Sequence, residues 1–128
     1  MRRLGDNNSG FTLMEVLVAM VILTVGLLGT AALITGIINS NKLSNRISAA
    51  TVLAQDKMED VKRLGYSGMP ASDTTTTEAY NSITNYSLYK RVTFTEVANP
   101  AAGMKKITVT VYWESDGHSV VLKTILAE

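Results

Sequence analysis

The chain changes its hydrophobic period twice. From Phe11 to Ile38 it is almost continuously apolar, with Glu15 as the one charge, and Val16 to Ile38 is a run of 23 uncharged residues. At about 1.5 Å per residue that run spans roughly 35 Å as a helix, enough to cross a bilayer. Beyond Ile38 apolar residues recur at steps of three and four, at Leu43, Ile47, Ala50, Ala54, Met58, Val61 and Leu64. This spacing predicts an amphipathic helix with one buried stripe. Charges between these positions, such as Lys42, Arg46, Glu59 and Arg63, read as its solvated face. Gly65, Gly68 and Pro70 then signal a stop. Only glycines interrupt Phe11 to Leu64, so one helix of about 80 Å is predicted.

The remainder follows a different rule. Tyr66 to Asn81, with Thr74-Thr75-Thr76-Thr77, reads as a weakly structured surface loop. From Tyr86 the period becomes two: Leu88, Val92 and Phe94 share one parity, with Lys90 as an exception. After the Asn99-Pro100-Ala101-Ala102-Gly103 turn comes the clearest strand, with Ile107, Val109, Val111 and Trp113 on one side and Lys106, Thr108, Thr110, Tyr112 and Glu114 on the other. Asp116-Gly117 signals a hairpin, and Val120, Leu122, Thr124 and Leu126 make the returning strand. The predicted class is α+β: a long N-terminal helix packed against a small antiparallel sheet of about three strands, whose apolar face covers the helical stripe.

Glu15 stands out chemically. A carboxylate facing hydrocarbon costs roughly 2.5–3.5 kcal/mol or more at a helix centre, so it calls for a partner. A simple anchor has no need of it. An ordinary secretory signal has an apolar core of about 7–15 residues with its cleavage site after it, which this run exceeds. Arg2 and Arg3 precede the run, which predicts a cytoplasmic N-terminus and an exported C-terminal part.

The junction Gly10-Phe11-Thr12-Leu13-Met14-Glu15, behind a short basic leader, resembles the processing site of type IV pilins and type II secretion pseudopilins. The resemblance implies that a prepilin peptidase cuts between Gly10 and Phe11 and that Phe11 becomes N-methylated. It implies that Glu15 sets assembly registry by pairing with the Phe11 amine of a neighbouring subunit. On this basis residues 1–10 are a removable leader, 11–38 the transmembrane and filament-core helix, 39–64 the amphipathic half, and 65–128 a loop and sheet forming one globular domain with 39–64. The Ile107–Trp113 strand, short turn and Val120–Leu126 strand are similar to the C-terminal hairpin of PilV-type minor pilins and I-type minor pseudopilins. Many major pilins carry a proline where this chain has Ala32; Gly26, Gly29 and Gly36 supply comparable looseness, and the missing proline points toward a minor subunit. The implied partners are the prepilin peptidase/methyltransferase, other major and minor pilins, an inner-membrane assembly platform, and membrane lipid before assembly. The implied location is the bacterial inner membrane, then a surface pilus or periplasmic pseudopilus. The rivals are an I-type pseudopilin and a pilin stem displaying an adhesin or DNA receptor.

Composition narrows the remaining classes. The net charge is +1, and removing the leader leaves ten basic and ten acidic residues, which argues against nucleic acid as a bulk-charge partner. The absence of cysteine excludes thiolate metal sites, redox pairs and a disulfide scaffold. No catalytic constellation is present, so the chain reads as a non-enzyme without cofactor or metal. His118, the only histidine, is expected as an exposed turn residue. Asp56, Glu59 and Asp60 are expected on a solvated helix face. Tyr80, Tyr86, Tyr89 and Tyr112 with Lys90, Arg91, Lys105 and Lys106 form a candidate aromatic-basic patch, for which ordinary strand tyrosines and edge lysines are the competing explanation.

Overall fold

The computed structural model describes residues 10–128, so the expected leader, apart from Gly10, lies outside the described residues. Along the chain come α1 (Leu13–Gly68), β1 (Thr74–Glu78), β2 (Tyr89–Val97), β3 (Met104–Trp113) and β4 (His118–Ala127). The four strands form one antiparallel sheet in sequential order. The residues divide into two compact units, the first ending at Asn41 and the second running Lys42–Glu128.

Within the first unit, α1 is long and apolar enough to cross a membrane by length and composition. Its side chains are exposed throughout, from Leu13 to Ile38. Its threonines are made compatible with an apolar surrounding by local bonding. The Thr24 hydroxyl donates to the Met20 and Val21 carbonyls at 2.5 and 3.0 Å. Thr30 donates to Leu27 at 2.9 Å and Thr35 to Ala31 at 3.1 Å. These three hydroxyls thus have partners on their own helix and do not depend on water.

In the second unit, Ala50, Leu53, Ala54, Met58 and Val61 of α1 pack on Tyr89, Ile107, Val109, Val111 and Trp113 of the sheet. Ala50 and Ala54 are fully buried beneath these side chains. Replacing Ala54 with Leu is expected to overpack this contact and cost about 1–3 kcal/mol, read as a lower thermal midpoint. The stripe is narrower than its sequence spacing suggests. Leu43, Ile47 and Leu64 stay exposed because the sheet covers only the middle turns, while Leu53, outside the predicted stripe, is buried.

Gly65 ends the regular helix with φ 67°, a left-handed conformation that glycine adopts without steric cost. The carbonyls there are capped from the sheet: Lys105 Nζ donates to Tyr66 at 2.8 Å and Met69 at 2.9 Å. A cation at a helix C-terminus also complements its dipole.

Two expectations need correction. The sheet has four strands rather than about three, because Thr74–Glu78 is strand β1 and not loop. Its β-branched threonines suit a pleated edge, and it pairs with β2 from Thr74↔Thr95 to Glu78↔Arg91. The parity of β2 is also reversed. Tyr89, Arg91, Thr93 and Thr95 are buried, Leu88 and Phe94 are exposed, and Val92 is half-buried on the opposite face from the core. Register explains this: Tyr89, Arg91, Thr93 and Thr95 lie opposite Trp113, Val111, Val109 and Ile107, the apolar face of β3. Cross-strand partners share a face, so β3 dictates which side of β2 is covered. The hairpin expected at Asp116-Gly117 is present: the Trp113↔His118 pairing leaves a four-residue loop, Glu114 to Gly117, closed by Gly117 N–H to Glu114 C=O at 3.1 Å. Ser115 and Asp116, both at positive φ, are its central positions.

Candidate functional site

The start of α1 is built by Thr12. Its carbonyl accepts from Val16 N–H at 3.2 Å, and its Oγ1 accepts from Glu15 N–H at 3.2 Å. Thr12 is thus the N-cap and Glu15 the third helical residue, the Thr-x-x-Glu spacing of a capping box. The sequence reading missed this signal although the spacing was legible. Its consequence is positional: Gly10 and Phe11 lie outside the helix and are exposed, so the peptide bond between them is not held in α1. A Cβ at Gly10 would meet nothing within 4 Å, so the described fold makes no demand for glycine there.

Glu15 lies on the helix surface in a shallow groove with Phe11, Val16, Ala19, Met20 and Leu23. Positions 15, 19 and 23 stack on one helix face, a carboxylate followed by two apolar residues, and Phe11 borders the groove from before the helix. The next basic residue along the chain is Lys42, 27 residues further on. A carboxylate at N3 also sits favourably toward the positive end of the helix dipole.

The other sequence candidates fall elsewhere. His118 is exposed and begins β4, directly beside the hairpin turn; its ring stacks on Trp113 at 5.5 Å and its Nε2 is 3.2 Å from Glu114. Asp56 is 3.4 Å from Arg91, and Asp60 is 2.7 Å from Arg63, which holds its carboxyl below the ordinary value. Among the described residues no cluster of His, Asp or Glu is arranged for a metal. The aromatic-basic set does not form one surface, because strand parity divides it. Arg91 and Lys105 are buried toward α1, while Lys90 pairs with Asp116 and Lys106 with Glu96 at 2.6 Å.

Arg91 is the residue whose role the sequence concealed. Its Nε and Nη2 donate to the two Glu78 oxygens at 2.6 and 2.7 Å, and its Nη1 donates to the Leu53 carbonyl at 3.0 Å. These hydrogen bonds hold the Glu78 carboxyl below its ordinary value of 4.5, with Lys57 adding a smaller pull. A depressed carboxylate contributes stability above its unfolded value and loses it as pH falls through the folded one. The thermal midpoint is therefore expected to drop on acidification below pH 4.5, and Glu78→Gln to flatten that part of the profile.

With this geometry in view, residues 5–31 match the family model described as the prokaryotic N-terminal methylation motif. The match supports a type IV pilin-like prepilin. No curated protein and no solved structure matches the chain. The pilin-like motif marks a structural subunit, and it implies processing by prepilin peptidase and assembly with other pilins. Together with the apolar helix it supports membrane anchoring.

Proposed function

We propose that this is a minor type IV pilin precursor of the PilV kind, a structural subunit that helps initiate or modify filament assembly. Peptidase cuts between Gly10 and Phe11, the new amine of Phe11 is methylated, and Glu15 sets the register of the incoming subunit. The observation that carries this is the placement of Glu15: a lone carboxylate on an apolar helix face, in one groove with the residue whose amine cleavage would release. Pairing the two offsets the cost of holding either charge alone in hydrocarbon.

The exposed position of Gly10–Phe11 outside α1 fits access by the peptidase. The open space at Gly10 supports reading the glycine as a requirement of that enzyme, since this fold makes no demand for it. Ala32, where many major pilins have proline, favours a minor subunit.

The test compares sheared filaments with the membrane fraction by mass spectrometry of the N-terminal peptide. A peptide beginning at N-methyl-Phe11 in the sheared fraction is expected. A chain confined to the membrane and still beginning at Met1 would overturn the proposal. The neighbouring genes, for pilus assembly or for secretion, separate it from an I-type pseudopilin.

A further inference from the structure

The aromatic residues of the second unit are unevenly distributed. Of its five tyrosines and one tryptophan, only Tyr66 lies at the Lys105 end of the sheet. The rest form a connected group at the other end. Tyr89 packs on Tyr86 and Trp113 at 6.0 and 6.4 Å, and its hydroxyl reaches the Arg46 carbonyl at 3.3 Å. Lys90 stands over Tyr112 at 4.7 Å and Tyr80 at 5.7 Å. The hairpin tip is fastened to the same end by the Arg46–Glu114 and Lys90–Asp116 pairs and by Tyr80 Oη donating to Asp116 at 2.9 Å.

This end also exposes apolar surface. Leu88 is 65% exposed on the rim of a cavity of about 300 Å³ whose lining includes Arg46, Tyr80 and Trp113. Leu43 and Ile47 continue the buried stripe of α1 past the edge of the sheet and are 41% and 42% exposed. Its cations Arg46 and Lys90 are paired with Glu114 and Asp116, and Lys42 precedes Arg46 by four residues on α1 with no carboxylate between them.

Lys42 begins the second unit, four residues after Ile38 ends the apolar run, and Arg46 follows four residues later. This end therefore holds the residues of the second unit nearest to the apolar run along the chain. Half-exposed tyrosines, exposed leucines and basic side chains match the chemistry of the headgroup layer. Aromatic rings settle there and Lys or Arg meets phosphate.

We propose that the Arg46 end of the second unit seats on phospholipid headgroups before assembly, with Leu88 inserted as its apolar contact. This rests on the apolar segment of α1 being a membrane anchor. The seat holds the unassembled subunit against the bilayer through a surface separate from its spanning helix.

The absence of cysteine makes single-site labelling clean. The full chain is reconstituted alone in vesicles of phosphatidylethanolamine and phosphatidylglycerol. An environment-sensitive fluorophore is placed in turn on Ser87→Cys, on Ala102→Cys at the opposite end of the sheet, and on Ala31→Cys in the apolar run. Lipids carrying a shallow nitroxide are expected to quench most of the emission at position 87 and little at 102. Leu88→Asp in the Ser87→Cys background is expected to abolish most of that quenching. Mid-chain nitroxide lipids are expected to quench position 31. Equal quenching at 87 and 102, with 31 quenched, overturns the seat and leaves the anchor standing. Quenching at 87 that Leu88→Asp leaves unchanged also overturns it. No quenching at 31 overturns the anchor, and the seat with it.

Discussion

Replacing Glu15 with Ala is expected to leave the chain in the membrane and still cleaved, while its share in sheared filaments falls about tenfold or more. Removing a carboxylate from an apolar helix makes membrane insertion easier, so loss of the anchor is not the route to failure. What disappears is the attraction between an incoming Glu15 and the exposed amine of a subunit already in place. Each 1.4 kcal/mol lost from that encounter is a factor of ten in occupancy, and charge-assisted pairs in low dielectric exceed this readily. The capping geometry supplies a sharper arm. Gln at the third helical position completes a capping box as well as Glu does. If Glu15 serves only to start α1, Glu15→Gln restores incorporation; if its charge sets registry, Glu15→Gln fails as Ala does. Quantifying the chain in filaments and in membranes for both variants decides between them, and normal incorporation of Glu15→Ala would sink the registry role.

The second large effect lies in the core. Arg91 is 7% exposed, and its guanidinium ties β2 to Glu78 of β1 and to the Leu53 carbonyl of α1. Arg91→Ala leaves Glu78 without its bidentate partner and opens space beneath the helix. Breaking a buried pair on one side costs about 3–5 kcal/mol. Glu78 is still about one-third exposed, so water recovers part of that loss and the lower end of the range applies. In a unit of this size about 3 kcal/mol lowers the thermal midpoint by roughly 12 °C or more, measurable by circular dichroism. Arg91→Met combined with Glu78→Leu is expected to recover most of the loss, because replacing both charges removes the unpaired group along with the pair. If Arg91→Ala melts within a degree or two of the parent, the network is a surface decoration and not a tie.

The Ala54, Glu78 and Arg91 variants all probe Lys42–Glu128, whereas the role proposed for Glu15 lies in the apolar segment before it. Melting and incorporation should therefore separate. Glu15→Ala is expected to leave the thermal midpoint of the second unit unchanged, since no residue of that unit's core lies before Ala50.

Much of this was legible because some signals are local. The uncharged run ending at Ile38, the glycine stop at Gly65 and the alternation through Ile107, Val109, Val111 and Trp113 depend only on near neighbours in the chain. The methylation motif matched over residues 5–31 is local too, since it is read along the chain. Thr12 as N-cap was equally available from its spacing to Glu15.

What only the tertiary structure decided concerns pairing. Leu88, Val92 and Phe94 look like an inward face by themselves. Yet β3, with four large apolar residues on one side, fixes the register and turns Tyr89, Arg91, Thr93 and Thr95 inward instead. Thr74–Glu78 is a strand because β2 offers an edge, and nothing in four threonines announces that partner. The Arg91–Glu78 tie and the gathering of Tyr80, Tyr89 and Trp113 at one end follow from the same register, which joins residues far apart in sequence. Helical and strand periods are properties of the local chain, so the sequence carries them. Which face is covered and which charges meet depend on the partner strand, and that choice is settled only when the strongest apolar face, on β3, takes the helix.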